Sequence, residues 1–176
     1  NLIFQSSFQV FFFLKQELKF KCLGAGREVG RSSFLLDYGD KIMLDDGIKL
    51  GAEKTEYPLK PATNLDAVII SHAHLDHSGN LPSLFLNNHS LAFMTPSTLD
   101  ISKLLWFDSL KIAGLEGFDS GYSKEEVKKT ERFAFELGYK KQVQITENTA
   151  LEFYDAGHIT GSALTKLYLP SGKNLL

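Results

Sequence analysis

Cysteine is nearly missing from this chain. The single Cys22 excludes an internal disulfide and, with no second thiol near it, any cysteine-rich zinc module. A reducing, cytoplasmic compartment is therefore the expectation. Charge of one sign is missing too: 19 basic against 21 acidic residues leave a formal net charge of −2. No global basic field announces nucleic acid, so such a partner would have to be held by a local patch or a metal. The apolar run Phe8-Gln9-Val10-Phe11-Phe12-Phe13-Leu14 is too short to span a bilayer. It lacks the basic leader and small-residue cleavage site of a secretory signal, and no membrane partner is expected. The chain does not open on methionine, and Asn1 to Ser6 resembles a viral-protease cleavage tag with Ile3 in place of its tyrosine. Residues 1–17 are read as a tag or non-native leader. Internal repeats and low-complexity linkers are absent as well.

What is present is an ordinary core: 43% of the 176 residues are hydrophobic, enough for one domain. Leu18 to Leu23 alternates with period two, as a half-buried strand does. Ser33–Asp37 and Lys41–Asp45 flank Tyr38-Gly39-Asp40 and read as a hairpin. After a polar loop from Gly51 to Asn64, Ala67-Val68-Ile69-Ile70 reads as a buried strand. A helix is expected near Asn80-Leu81-Pro82, a strand at Ala92-Phe93-Met94, and a helix opened by Thr95-Pro96. Ile101, Leu104, Leu105 and Ile112 form its expected inward face. Ser123 and Glu126 make a capping box for another helix, with Val127, Ala134 and Leu137 inward. Gln142–Thr146, Leu151–Tyr154 and Ala163–Leu169 read as closing strands. The fold class is α/β (α+β), a mixed sheet with flanking helices.

The run His72-Ala73-His74-Leu75-Asp76-His77 directly follows the buried strand. Neutral imidazole is the commonest metal ligand, and zinc takes nitrogen and carboxylate oxygen at about 2.0–2.2 Å. In extended chain His72 and His74 share one side. Asp76 and His77 arrive as the chain turns into Ser78-Gly79-Asn80. One short segment can thus serve two neighbouring ions, and a pair about 3.5–4 Å apart suits phosphodiester or acyl hydrolysis. The competing reading is a polar loop or a structural metal. A structural zinc is closed by four protein ligands, and carboxylate crowded with histidine on a turn fits an open site better.

This run resembles the signature motif of the metallo-β-lactamase superfamily. Gly26 to Ser32, Leu44-Asp45-Asp46-Gly47, Ser71 to Pro82 and Asp155 to Ala163 are similar to the β-CASP RNA-processing nucleases. Among these they look most like archaeal relatives of the cleavage and polyadenylation specificity factor nuclease. The resemblance runs from residue 18 to the end and implies an αββα sandwich. Residues 18–176 would be mainly its first half, the N-terminal part of the domain. It further implies that Asp45 orients the site, that His72, His74 and His158 bind one zinc, and that Asp76 with His77 binds a second. Asp76 would also help position the nucleophilic water. The family's pattern continues with a bridging aspartate, the β-CASP insertion and another histidine. The complete protein would therefore hold two Zn²⁺, and these residues at most one firmly. The implied activity is zinc-dependent endoribonuclease, with exonuclease activity as a variant. RNA is the implied partner, together with a second copy or other subunits of an RNA-processing complex, and the segment alone is expected to be inactive or weak. The alternatives are a thioester or lactam hydrolase of the same fold and a non-catalytic subunit.

Two further motifs read as structural. Gly24-Ala25-Gly26 with Gly30 lacks both the spacing and the following helix of a dinucleotide fingerprint. Lys124, Lys128, Lys129, Arg132, Lys140 and Lys141 are interleaved with glutamates, as on a solvated helix. His89 reads as a loop residue.

Overall fold

The computed structural model describes residues 17–51 and 54–176. The leader expected over residues 1–17 lies, but for Glu17, outside the described residues. In chain order the elements are β1 (Lys19–Gly24), β2 (Ser33–Asp37), β3 (Lys41–Leu44), β4 (Lys49–Leu50), β5 (Thr55–Glu56) and β6 (Ala67–Ile69). Helices α1 (Leu75–Ser78) and α2 (Leu81–Leu84), strand β7 (Leu91–Met94), helices α3 (Pro96–Glu116) and α4 (Lys124–Phe133) and strand β8 (Ala134–Glu136) follow. Strands β9 (Gln142–Gln144), β10 (Ala150–Asp155), β11 (Ala163–Tyr168) and β12 (Asn174–Leu175) close the chain.

Two sheets result. The larger has six strands in the order β1-β2-β3-β6-β7-β8. Its first three are antiparallel neighbours, whereas β3, β6, β7 and β8 run parallel. The other is an antiparallel sheet of four, β12-β11-β10-β9.

The period-two alternation of the central strands decides the layering, because neighbouring side chains point to opposite faces. Ile42, Ala67, Ile69 and Phe93, with Leu36, meet Leu151, Phe153, Ala163 and Leu167 of the second sheet. Met43, Val68, Ile70, Ala92 and Met94, with Leu35, meet Leu81, Phe85, Leu99, Trp106 and Val127 of the helical layer. Each such large side chain contributes about 1.5–3 kcal/mol on burial, so both faces of this sheet drive folding. Helices, sheet and second sheet stack in that order, the arrangement of a metallo-β-lactamase sandwich as far as these residues carry it. Among the described residues, no helix is long and apolar enough to cross a membrane.

Helix ends follow the sequence signals. Thr95 caps α3 with its side chain on the Thr98 N–H, and left-handed Gly117 ends the helix. The Ser123–Glu126 capping box opens α4.

Other expectations are corrected. On α3 the buried side is Leu99, Ser102, Trp106 and Ala113, while Leu104 is 71% and Ile112 41% exposed. The helix carries apolar residues on more than one side, and Trp106 selects among them. Its indole is fully buried and its Nε1 donates to the Ser78 carbonyl at 2.9 Å. Small Ser102 and Ala113 then let the helix approach closely. Ala134 is not helical: α4 stops at Phe133, and Ala134 to Glu136 pairs in parallel with β7. Leu137 is buried, but between the sheets rather than under α4. The polar loop after Gly51 contains β5, paired with β4. The strand expected to reach Thr146 ends at Gln144, because Ile145 and Thr146 turn back to the Thr149 carbonyl.

The exchanged faces of α3 are testable by denaturant unfolding. Leu99→Ala is expected to cost about 2–5 kcal/mol. Leu104→Ala should stay within about 0.5 kcal/mol of the parent. The reverse order would restore the sequence-based face.

Candidate metal centre

Parallel strands β3 and β6 end at one edge of the large sheet, so the segments that follow them lie side by side. The Asp45–Ile48 segment grips the Ser71–Asn80 segment through backbone bonds. Asp46 N–H donates to the His77 carbonyl, Ile48 N–H to that of Leu75, and Asn80 N–H to that of Asp46, each at 2.8 Å. A Cβ on Gly47 would sit 1.8 Å from the Asp76 carbonyl oxygen, so only glycine permits this approach. The β10–β11 turn enters from the second sheet. Ala163 N–H donates to the Ser71 carbonyl at 2.8 Å. The Gly161 carbonyl accepts from Thr95 Oγ1 at 2.7 Å and Thr98 Oγ1 at 3.0 Å.

These segments bring every expected site residue together. His72 Nε2 lies 3.1 Å from His74 Nδ1, and His158 Nε2 lies 3.3 Å from the same atom. One ligand atom from each of the three falls within 4.8 Å of the others. Tetrahedral zinc with nitrogens at about 2.0–2.1 Å needs its ligands about 3.3 Å apart. The donor spacing and the donor type both fit that ion. Beside them, His77 Nε2 stands 3.6 Å from Asp76 Oδ2. The His72 and His77 rings are 4.1 Å apart between centroids, so two ion positions would adjoin. The second is the thinner, with two protein donors among the described residues. Asp45 sits behind the donors. Its Oδ2 accepts from His77 Nδ1 at 2.8 Å, and its Oδ1 accepts from the Ser71 N–H at 2.7 Å.

Burial, reinforced by the nearby His77, pushes the His72 imidazole down to about 4, which keeps it neutral and able to ligate. For His77 burial opposes the charged ring, but the hydrogen bond to Asp45 and the charges of Asp45 and Asp76 outweigh it and raise the imidazole above its ordinary value. Asp46 is wholly buried. Its Oδ2 accepts from Asn80 Nδ2 at 2.9 Å, whereas its Oδ1 has no partner. Burial pushes this carboxyl up to about 7, with the Asp45 charge adding to the rise.

Residues read as structural stay outside the cluster. His89 is exposed and lies against the Phe133 ring at 6.0 Å. On α4, Lys128 meets Glu125 at 3.0 Å, and Lys129 Nζ donates to the Phe85 carbonyl at 2.6 Å. Gly24 to Gly30 forms a turn before β2, with Ala25 and Arg27 left-handed, and no helix follows. Sequence reasoning passed over Ser71, Asp46 and the Thr95–Thr98 anchor. Only the adjacency of Ser71 and Asp46 to the motifs could have signalled them.

Layering, donor set and geometry together define a metallo-β-lactamase-type protein. The chain belongs to the metallo-beta-lactamase superfamily, whose family profile matches residues 26–137. Among individual proteins it is 35% identical over 165 residues to "Transcription termination factor FttA" of Methanosarcina mazei, covering 89% of this chain and 26% of that protein. It is 38% identical over 157 residues to "Probable RNase MJ4" of Methanocaldococcus jannaschii, covering 87% of this chain and 36% of that one. The chain thus spans about a quarter to a third of the curated relatives it matches. A solved metallo-β-lactamase from Cronobacter sakazakii shares the fold, with a TM-score of 0.55, 17% identity, and coverage of 87% of this chain and 56% of that one.

The raised Asp46 carboxyl carries a pH signature. A carboxyl raised above its unfolded value contributes stability that is complete below about 4 and lost as pH rises through about 7. Asp46→Asn keeps the neutral shape without the titration. Unfolding free energies measured from pH 4 to 8 should show the variant gaining on the parent as pH rises. A pH-independent difference would contradict the assignment.

Proposed function

We propose that this chain is the metal-bearing part of a zinc-dependent ribonuclease of the β-CASP type, acting on RNA phosphodiester bonds in the reducing cytoplasm. The observation that carries the reading is the convergence of His72, His74 and His158 beside the Asp76–His77 pair. Names of relatives support the substrate class: one is a transcription termination factor and another a probable RNase. Matching motifs flank the cluster on both sides.

His72, His74 and His158 would hold the first ion, and His77 and Asp76 the second. Zinc, when bound, supplies Lewis acidity that activates water and stabilises charge developing on a phosphoryl oxygen. Asp45 fixes His77 through Nδ1 and leaves Nε2 free towards the site. The Asp76 side chain, 40% exposed, would help position the nucleophilic water by accepting a hydrogen bond from it. An open cleft lined by Pro96, Ser97, Tyr139, Asp155 and Thr160 leads to His158 and offers a path for the nucleic-acid strand. With two donors only, the second position is expected to be weakly held here, and these 176 residues alone to cleave slowly.

The test uses the natural gene product that contains this sequence, with labelled single-stranded RNA and measured zinc content. Chelator-sensitive cleavage that His74→Ala reduces to background is the expected result. A parent protein that binds no zinc, or one that hydrolyses only thioesters or lactams, would overturn the proposal.

A further inference from the structure

Ser71 is outside the ligand set, yet all its polar groups are engaged at the site. Its N–H donates to Asp45 Oδ1 at 2.7 Å and its hydroxyl donates to Asp45 Oδ2 at 2.9 Å. The same Oγ lies 3.0 Å from His72 Nδ1, and the Ser71 carbonyl accepts from Ala163 N–H at 2.8 Å. A hydroxyl has one proton. With that proton on the Asp45 carboxylate, Oγ can meet His72 only as an acceptor, so His72 Nδ1 carries the hydrogen. A neutral imidazole protonated at Nδ1 presents its lone pair at Nε2. That is the atom 3.1 Å from His74 Nδ1, within the histidine cluster.

Asp45 Oδ2 also accepts from His77 Nδ1 at 2.8 Å, which leaves His77 Nε2 towards Asp76. One carboxylate oxygen therefore sets the ring state at both ion positions, directly at His77 and through a hydroxyl at His72. We propose that Ser71 is a positioning residue that relays the hold of Asp45 to His72 and fixes the tautomer in which Nε2 ligates the first metal. The inference rests on the reading that His72, His74 and His158 bind a metal, and it is independent of RNA as substrate.

Ser71→Ala isolates the relay, because both backbone bonds of residue 71 survive it. Outer partners of metal-bound histidines typically matter about 10–100-fold in metal affinity. Zinc affinity measured by competition with a chromophoric chelator should fall about tenfold or more in Ser71→Ala, and Ser71→Thr should restore it. Long-range ¹H–¹⁵N spectra of the metal-free protein should show His72 protonated at Nδ1 in the parent and a mixture of tautomers in Ser71→Ala. Zinc bound by the parent and equally by Ser71→Ala, or an Nδ1–H form of His72 that persists in the variant, would overturn the relay alone. A parent that binds no zinc would remove the relay and the metal reading together.

Discussion

The Asp45 carboxylate, placed where β3 gives way to the site, holds the Ser71 N–H, the Ser71 hydroxyl and His77 Nδ1 at once. Its own backbone is left-handed, with φ of 57°. For a non-glycine residue that conformation costs about 1–2 kcal/mol, although aspartate tolerates it better than most. Hydrogen bonds to a charged group contribute about 1.5–3 kcal/mol each, so the three together outweigh the strain. The Asp45 N–H is also used, on the Ile69 carbonyl at 2.8 Å. Loss of this carboxylate would release the turn after β6 and both ends of the histidine run. The remainder of the centre depends on that grip.

The layers supply what a single segment cannot. His72, His74 and His77 come from one loop at the edge of the large sheet, whereas His158 comes from the second sheet. For the latter to arrive, the two sheets must pack at a fixed separation, and Leu36, Ile42, Ile69 and Phe93 against Leu151, Phe153 and Leu167 provide it. The final adjustment is made by α3, whose capping threonines bind the Gly161 carbonyl. A Cβ on Gly161 would lie 2.7 Å from Thr95 Oγ1, so the helix start and the histidine turn are in direct contact. The cap that begins α3 therefore also locates the turn that carries His158, a candidate metal donor.

Much of this was legible in the sequence because it is local. The apolar run Ala67 to Ile70, the hairpin around Gly39, the Thr95-Pro96 start and the His72–His77 spacing all depend on neighbours within a few residues. His158 became readable only through its flanking motif, since 84 residues separate it from His74. The inward face of α3 was misread because Leu104 and Ile112 are as apolar as the residues actually buried. The choice between faces was made by Trp106 reaching Ser78 across the fold. Strand β8 was missed for a related reason: the edge of β7 offers backbone partners that Ala134 to Glu136 take up, and no local signal records such pairing. Ser71 was legible only as the first residue of a motif segment, and its meaning lies in its contacts with Asp45, His72 and Ala163.

With a formal net charge of −2, the placement of individual cations bears on how the proposed nuclease would hold a polyanion. Lys103, Lys128 and Lys129 are committed to Glu131, Glu125 and the Phe85 carbonyl. Lys49 and Arg31 are held by Glu28, whose carboxyl those two cations keep below the usual range. Burial keeps the His72 ring neutral, so it adds no charge of its own. In the proposed nuclease these five cations would therefore add little to the attraction for phosphate, and the metals would contribute to it directly. Counterion release scales with the number of phosphates neutralised by lysine and arginine. Phosphate binding at the ions should depend less on salt than binding through a basic face, and more on the order of the imidazoles that would hold the ions. Under the proposed function, the alignment set by Asp45 would then bear on substrate affinity as well as on chemistry.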